Sequence, residues 1–380
     1  MQEYIFIHGK NASLSQAEMQ AVFHENVMFQ QQAFSVVLTD RMVDQRLMNS
    51  LGGIIKIAKV FTEDLIETIM KECQTEKILF AVSQYAGHDQ LSKVLIGVKK
   101  KLRTAGRNAR FLNKNFTNIS SGQLNQSGIL EKGIDLVRCF YEGKEHWAKT
   151  IAFQDIDAYS LRDFEKPHRD MQQMGMMPPK LAQVMINLAQ PEQTTTIYDP
   201  FCGLGTTLIE GMLRGNPVMG SDIKGRLVEN TVANLHWIQK NFPSTTSYKL
   251  EATSFFPHDA TLPFSKEKSP GDMVVVSEGY LGPLLLRFPN AGQQKEIFEL
   301  LHGINGKFFF GISQIITKGK RIVFCLPFFR SNKEKIFYPE SFIKDYADSG
   351  FTLTHPLRAY LYEREGQVVG REIVVFEKIS

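Results

Sequence analysis

A carboxylate at the end of an apolar run, a glycine-containing turn, and a second carboxylate one strand later make the most chemically informative pattern in this chain. Thr194-Thr-Thr-Ile-Tyr-Asp-Pro-Phe-Cys-Gly-Leu-Gly-Thr-Thr-Leu-Ile-Glu210 reads as a buried strand that breaks into a turn and continues as a helix, and Gly220-Ser221-Asp222 closes the next strand. Gly203 and Gly205 let the backbone approach a ligand closely. Asp222 has acceptor capacity for two ribose hydroxyls at once. Asp199 decides the kind of cofactor: a carboxylate there repels a pyrophosphate but accepts from an ammonium or a hydroxyl. That disfavours a dinucleotide and suits S-adenosylmethionine, which carries an amino acid in place of phosphates. In the same series Asp259, in Pro257-His-Asp-Ala260, falls where an exocyclic adenine amine is read. The expected cofactor-binding set is Asp199, Pro200, Phe201, Gly203, Gly205, Thr206, Asp222, Asp259 and Ala260.

The second group of chemical interest is Met273-Val-Val-Val-Ser-Glu-Gly-Tyr-Leu-Gly-Pro283, an apolar run that releases Glu278 and Tyr280 into a turn. The lone pair of a base amine is delocalised into its ring. An acceptor on the amine hydrogens helps to localise that pair, and an aromatic face can stack the base. Glu278 suits the first role and Tyr280 the second. The carboxylate need not be a strong base, because the amine becomes acidic only as a methyl group arrives. A paired base must first be flipped out, and stacking offsets part of that cost.

To bring these residues to one edge the chain needs parallel strands with helices between them. The pattern supplies strands at 195–198, 217–221, 249–252, 272–277 and 321–326, and helices at 206–214, 226–242 and 292–317. Such alternation specifies an α/β sheet covered by helices. Residues 351–362 and 367–377 read as an antiparallel hairpin at the sheet edge, turning around Arg364-Glu-Gly366, and a helix over 180–190 starts at Pro178 and Pro179. Upstream, a strand at 4–9, a helix capped by Ser13 or Ser15, and strands ending near Val60 make one small α+β module. A second module follows to Phe153, and residues 155–179 lose periodicity as a linker. The expected division is 1–60, 61–154, 155–179 and 180–380.

The chain has 380 residues, 43% hydrophobic and 22% charged, which suits several soluble domains. No run approaches the roughly 18 apolar residues of a membrane span, and the first residues do not form a signal peptide, so a cytoplasmic protein without membrane contact is expected. Cys73, Cys139, Cys202 and Cys325 are scattered without a metal-ligand spacing, so no metal is expected, and Cys202 reads as a packing residue. From Lys93 to Leu130 there are eight basic residues and no acidic one. A field of one sign favours a polyanion, so Lys99, Lys100, Lys101, Arg103, Arg107 and Arg110 are candidate RNA contacts.

These residues together resemble the THUMP-containing tRNA guanosine-N2 methyltransferases of eukaryotes and archaea, a class I S-adenosylmethionine-dependent group. Tyr4-Ile-Phe-Ile-His-Gly with Leu14-Ser-Gln-Ala-Glu18 is similar to their opening, Gly175-Met-Met-Pro-Pro-Lys-Leu-Ala-Gln-Val-Met-Ile-Asn-Leu-Ala189 to the entry into their catalytic domain, and Asp199-Pro-Phe-Cys-Gly-Leu-Gly-Thr206, Asp222 and Asp259 to their cofactor motifs. The resemblance implies ferredoxin-like and THUMP-like α+β modules before a Rossmann-like methyltransferase sheet. It also implies tRNA as partner and guanine N2 as target, and leaves room for a protein activator subunit. The chain departs from the family at its catalytic strand, where Asp-Pro-Pro-Tyr is replaced by Ser277-Glu-Gly-Tyr-Leu-Gly282. Placing Glu278 on the family's Asp keeps an acceptor and brings Gly282 into register; placing Tyr280 on its Tyr leaves Ser277 on the Asp. Two other readings stay open: an amino-methyltransferase of DNA acting on adenine N6 or cytosine N4, and an RNA-binding protein with an inactive methyltransferase domain.

Overall fold

Successive apolar side chains of the first strand, β1 (Gln2–His8), divide between two cores, as the two-residue period of a strand requires. Tyr4 and Phe6 pack with Met19 and Phe23 of the helix Ala12–Phe23, whereas Ile5 and Ile7 pack with Val36, Val60 and Val137. The computed structural model describes residues 1–87, 89–168, 176–242, 250–264 and 269–380, which divide into two units, Met1–Tyr159 and Ser160–Ser380.

The first unit is built on β1, β2 (Val27–Gln30), β3 (Phe34–Thr39), β4 (Ile54–Phe61), β5 (Lys77–Tyr85), β6 (Asn108–Phe111), β7 (Ile134–Tyr141) and β8 (Lys144–Phe153). They form one sheet in the order β2-β3-β1-β4-β8-β7-β5-β6. The segments 1–60 and 61–154 therefore share a continuous sheet, joined by the antiparallel pairing of β4 with β8. The short β2 has no distinct sequence pattern and was not expected. The first helix is capped by Asn11, whose side chain accepts from the Leu14 amide, and not by a serine. Ser13 donates to Asn11 instead, and Ser15 turns inward to the carbonyls of Asn11 and Gly53.

Across the sheet centre Lys56 Nζ lies 2.6 Å from Asp135 Oδ2, both side chains being buried, with Ser83 and Thr150 completing the cluster. Breaking a buried pair from one side leaves an uncompensated charge, a loss of about 3–5 kcal/mol. Lys56→Met should cost that much in denaturant unfolding, and Lys56→Met combined with Asp135→Leu should recover most of it.

The second unit has β9 (Thr196–Asp199), β10 (Val218–Asp222), β11 (Phe255–Pro257), β12 (Met273–Ser277), β13 (Arg321–Arg330), β14 (Lys335–Phe337), β15 (Phe351–Leu353), β16 (Leu361–Tyr362) and β17 (Val369–Lys378). The sheet order is β11-β10-β9-β12-β13-β17-β15, with the first five strands parallel and β17 antiparallel to β13. The strand order reverses between β9 and β12, and that switch point opens a crevice at the carboxyl ends of the parallel strands, where ligands of such sheets bind. An aromatic cluster including Phe308, Phe309, Phe324, Tyr346 and Phe376 fills one face, with Phe308 and Phe309 supplied by the helix Ala291–Ser313.

Several expectations change. The strand expected at 249–252 lies instead at Phe255–Pro257, while Lys249 falls outside the described residues. Residues 351–362 form two short strands, because Pro356 lacks a donor and Arg358 is left-handed (φ 65°). Their partner β17 lies inside the sheet, between β13 and β15, and not at its edge. The expected linker opens with a helix, Ile156–Phe164, and Arg162 fixes it by a bidentate pair with buried Glu210 on the helix Thr206–Arg214. Arg169, Asp170 and Gly175 lie outside the described residues.

Candidate active site

Three adjacent parallel strands bring carboxylates to the same edge: β9 ends at Asp199, β10 ends at Asp222, and Asp259 follows β11 by two residues. Glu278 follows β12 on the other side of β9. All four line one cavity of about 870 Å³, inside the range of roughly 300–1,000 Å³ common for ligand sites. Pro200, Phe201, Gly203, Thr206, Ala260 and Tyr280 line it too. Gly205 does not. Its left-handed backbone (φ 82°) turns the strand into the helix, and a Cβ there would meet Thr231 Cγ2 at 2.8 Å, so its role is in the turn's geometry. A separate cavity of about 120 Å³ beside Tyr198, Met219 and Phe264 contains none of the four carboxylates.

Asp222 binds the cradle together. Its Oδ2 accepts from the Gly203 amide at 3.1 Å and its Oδ1 from the Lys224 amide at 2.9 Å. Each oxygen keeps acceptor capacity for a hydroxyl. Asp259 is lowered by hydrogen bonds from the amide and hydroxyl of Thr261, at 2.9 and 2.8 Å, which favour its ionised form. Cys202 is buried, and burial together with the neighbouring charges of Asp199 and Asp222 pushes its thiol well above the ordinary value. Such a thiol is a packing group and a poor nucleophile.

Asp199 is buried and accepts from Ser277 Oγ at 2.6 Å and from the Phe201 amide at 3.1 Å. Burial pushes its carboxyl up to about 7, against those hydrogen bonds and aided by the Asp222 charge. A folded-state value above the unfolded value of about 3.9 means that the folded protein holds this proton more tightly. The resulting stability is fully present below about pH 4 and is lost as pH rises through about 7. Melting temperature should fall across that interval, and Asp199→Asn should flatten this part of the pH dependence.

At the fourth strand Glu278 Oε1 accepts from Arg371 Nε at 2.5 Å. Arg371 also lines the cavity and was missed in the sequence, although a charge inside the apolar strand Val369–Lys378 was a visible signal. Ser277, placed on the family's Asp in one of the two registers, faces Asp199, while Glu278 opens onto the cavity. Tyr280 is 40% exposed at its margin. Met176 and Met177 add apolar lining that the sequence pattern had not singled out.

The candidate RNA contacts belong to the first unit. The helix Leu91–Thr104 buries Leu95, Val98 and Leu102 and leaves Lys99, Lys100, Lys101 and Arg103 exposed, as is Arg110 on the edge strand β6. Arg107 has a structural role: its Nη2 donates to the carbonyls of Cys73 and Thr75, at 3.1 and 2.5 Å, just past the helix Leu65–Glu72.

Comparison with known proteins agrees with this geometry. Residues 166–253 match UPF0020, described as an RMKL-like methyltransferase domain. A tRNA (guanine(10)-N2)-dimethyltransferase of Methanothermobacter thermautotrophicus is 48% identical over 71 residues, 18% of this chain and 21% of that protein. The enzyme of the same name from Pyrococcus abyssi is 25% identical over 210 residues, 50% of this chain and 62% of that protein. The chain thus spans less than two thirds of the length of these relatives. The crystal structure of TrmN from Thermus thermophilus aligns over 100% of both chains with a TM-score of 0.50 and 14% identity, a likeness of fold. In its sheet order, its three carboxylates at the cradle and its match over residues 166–253, the second unit is similar to methyltransferase domains of the UPF0020, RMKL-like type.

Proposed function

We propose that this protein transfers a methyl group from S-adenosylmethionine to an exocyclic base amine in RNA, with guanine N2 in tRNA as the target. The observation that carries this reading is the convergence of Asp199, Asp222, Asp259 and Glu278 on one cavity. Asp222 suits the ribose hydroxyls, Asp259 the adenine amine and Asp199 the amino group of the methionyl part. When bound, the cofactor supplies a methyl group activated by its sulfonium charge. Glu278 accepts from the target amine and orients its lone pair, and Tyr280 provides a face for the base. The proton leaves the amine as the new bond forms, and the carboxylate of Glu278 is placed to receive it or to pass it to water.

The choice of RNA draws on the names of the relatives, on the basic face of the helix Leu91–Thr104, and on the expected THUMP-like character of the first unit. The family match ends at residue 253, before the Ser277-Glu-Gly-Tyr edge, so it supports the cofactor half of the site more than the base half. The test is tritiated methyl transfer from S-adenosylmethionine to total tRNA and to duplex DNA, followed by nucleoside digestion. Labelled N2-methylguanosine from tRNA is the expected product. Labelled DNA would move the assignment to an amino-methyltransferase of DNA, and tRNA binding without label would make the domain a binding module.

A further inference from the structure

Two adjacent charged residues, Arg371 and Glu372, are buried within β17. They point to opposite faces of the strand. Glu372 accepts from the Arg358 amide, whereas Arg371, its side chain only 5% exposed, lines the cavity and reaches Glu278 at 2.5 Å. Taking a guanidinium out of water costs several kcal/mol unless a counter-charge meets it with good geometry. Here the carboxylate that does so is the one at the base-facing edge. Arg371 is held in register opposite Pro327 of β13 and Tyr362 of β16, so its backbone is fixed from both sides.

Glu278 lacks such support of its own. It lies beyond the last residue of β12, and no proline stands between Ser277 and Gly282. Gly279 adopts a left-handed backbone (φ 67°) against the Phe324 ring, a conformation that fixes the chain path but leaves the preceding side chain its rotamers. We infer that Arg371 is a positioning residue for Glu278, its guanidinium anchoring the carboxylate at one oxygen so that the group stays directed to the cavity. This rests on the reading of Glu278 as the acceptor for the target amine.

The test measures kcat and KM for tRNA methylation, cofactor affinity and melting temperature in the full chain. Misplacing a reacting group by about 1 Å lowers rate roughly 100-fold. Arg371→Met should lose about that factor in kcat with cofactor affinity changed less than about threefold, and Arg371→Lys, which keeps the charge without the planar fork, should recover part of it. Because Arg371 acts through Glu278, Glu278→Gln combined with Arg371→Met should be no slower than Glu278→Gln alone. Independent, multiplying losses would overturn the inference, as would a folded Arg371→Met with wild-type kcat. Should Arg371→Met fail to fold, the same comparison made with Arg371→Lys decides between coupling and independence. Transfer by wild type that survives intact in Glu278→Gln would instead remove the role of Glu278, and the inference with it; absence of any transfer by wild type would remove the proposed function itself.

Discussion

Glu278→Gln should lower kcat for methyl transfer by about 100-fold or more, within the roughly 10²–10⁴-fold range of positioned proton-accepting groups, while cofactor affinity changes little. The substitution keeps shape and removes charge. An amide retains one acceptor oxygen, but its NH2 group is a donor and cannot meet the hydrogens of an incoming amine. It also leaves the Arg371 guanidinium, buried against it in the wild type, without its counter-charge. Some loss of stability is therefore expected, and a melting curve must show that the variant is folded at the assay temperature. Asp199, Asp222 and Asp259 approach the cavity from other strands, so equilibrium binding of S-adenosylhomocysteine separates the two halves of the site. A folded Glu278→Gln variant with undiminished kcat would rule out the amine-accepting role.

The side of the cavity that carries Asp199 was legible in the sequence because its geometry is local. Asp199, the turn through Gly205 and the helix from Thr206 are contiguous, and the predicted helix 206–214 coincides with the observed Thr206–Arg214. Asp222 and Asp259 were placed at this edge for a related reason: the first closes an apolar strand, the second lies two residues past the next one, and parallel packing brings successive strand ends together. The third strand was nevertheless placed too early, since Phe255–Pro257 is only three residues long and carries no alternation by which to locate it.

Arg371 was not legible in the same way, because its partner is 93 residues away and their meeting depends on β17 inserting beside β13. Nothing local to Arg371 distinguishes that insertion from a hairpin at the sheet edge. Arg107 shows the converse failure: it stands among exposed basic residues in sequence, but its guanidinium is turned to carbonyls at 73 and 75, beyond a neighbouring helix. Charge counting recognises a basic segment without showing which of its cations already have partners.

Asp222→Ala should weaken S-adenosylhomocysteine binding about 100-fold, a loss of about 2.8 kcal/mol when each tenfold is worth about 1.4 kcal/mol. Hydrogen bonds to a charged acceptor contribute about 1.5–3 kcal/mol each, so losing the two expected from ribose would account for that figure or more. The same carboxylate accepts from Gly203 and Lys224, and its removal also releases the turn that must approach the ligand. Asp222→Asn distinguishes these effects. One amide oxygen can keep a backbone contact or take a hydroxyl, but the amide nitrogen on the other side cannot accept, so an intermediate loss of about tenfold is expected. Calorimetric titration of both variants measures these affinities directly. Binding within threefold of wild type in a folded Asp222→Ala would contradict the ribose assignment, and equal large losses in both variants would show that an intact carboxylate, rather than one remaining acceptor, is needed to hold the cradle for its ligand.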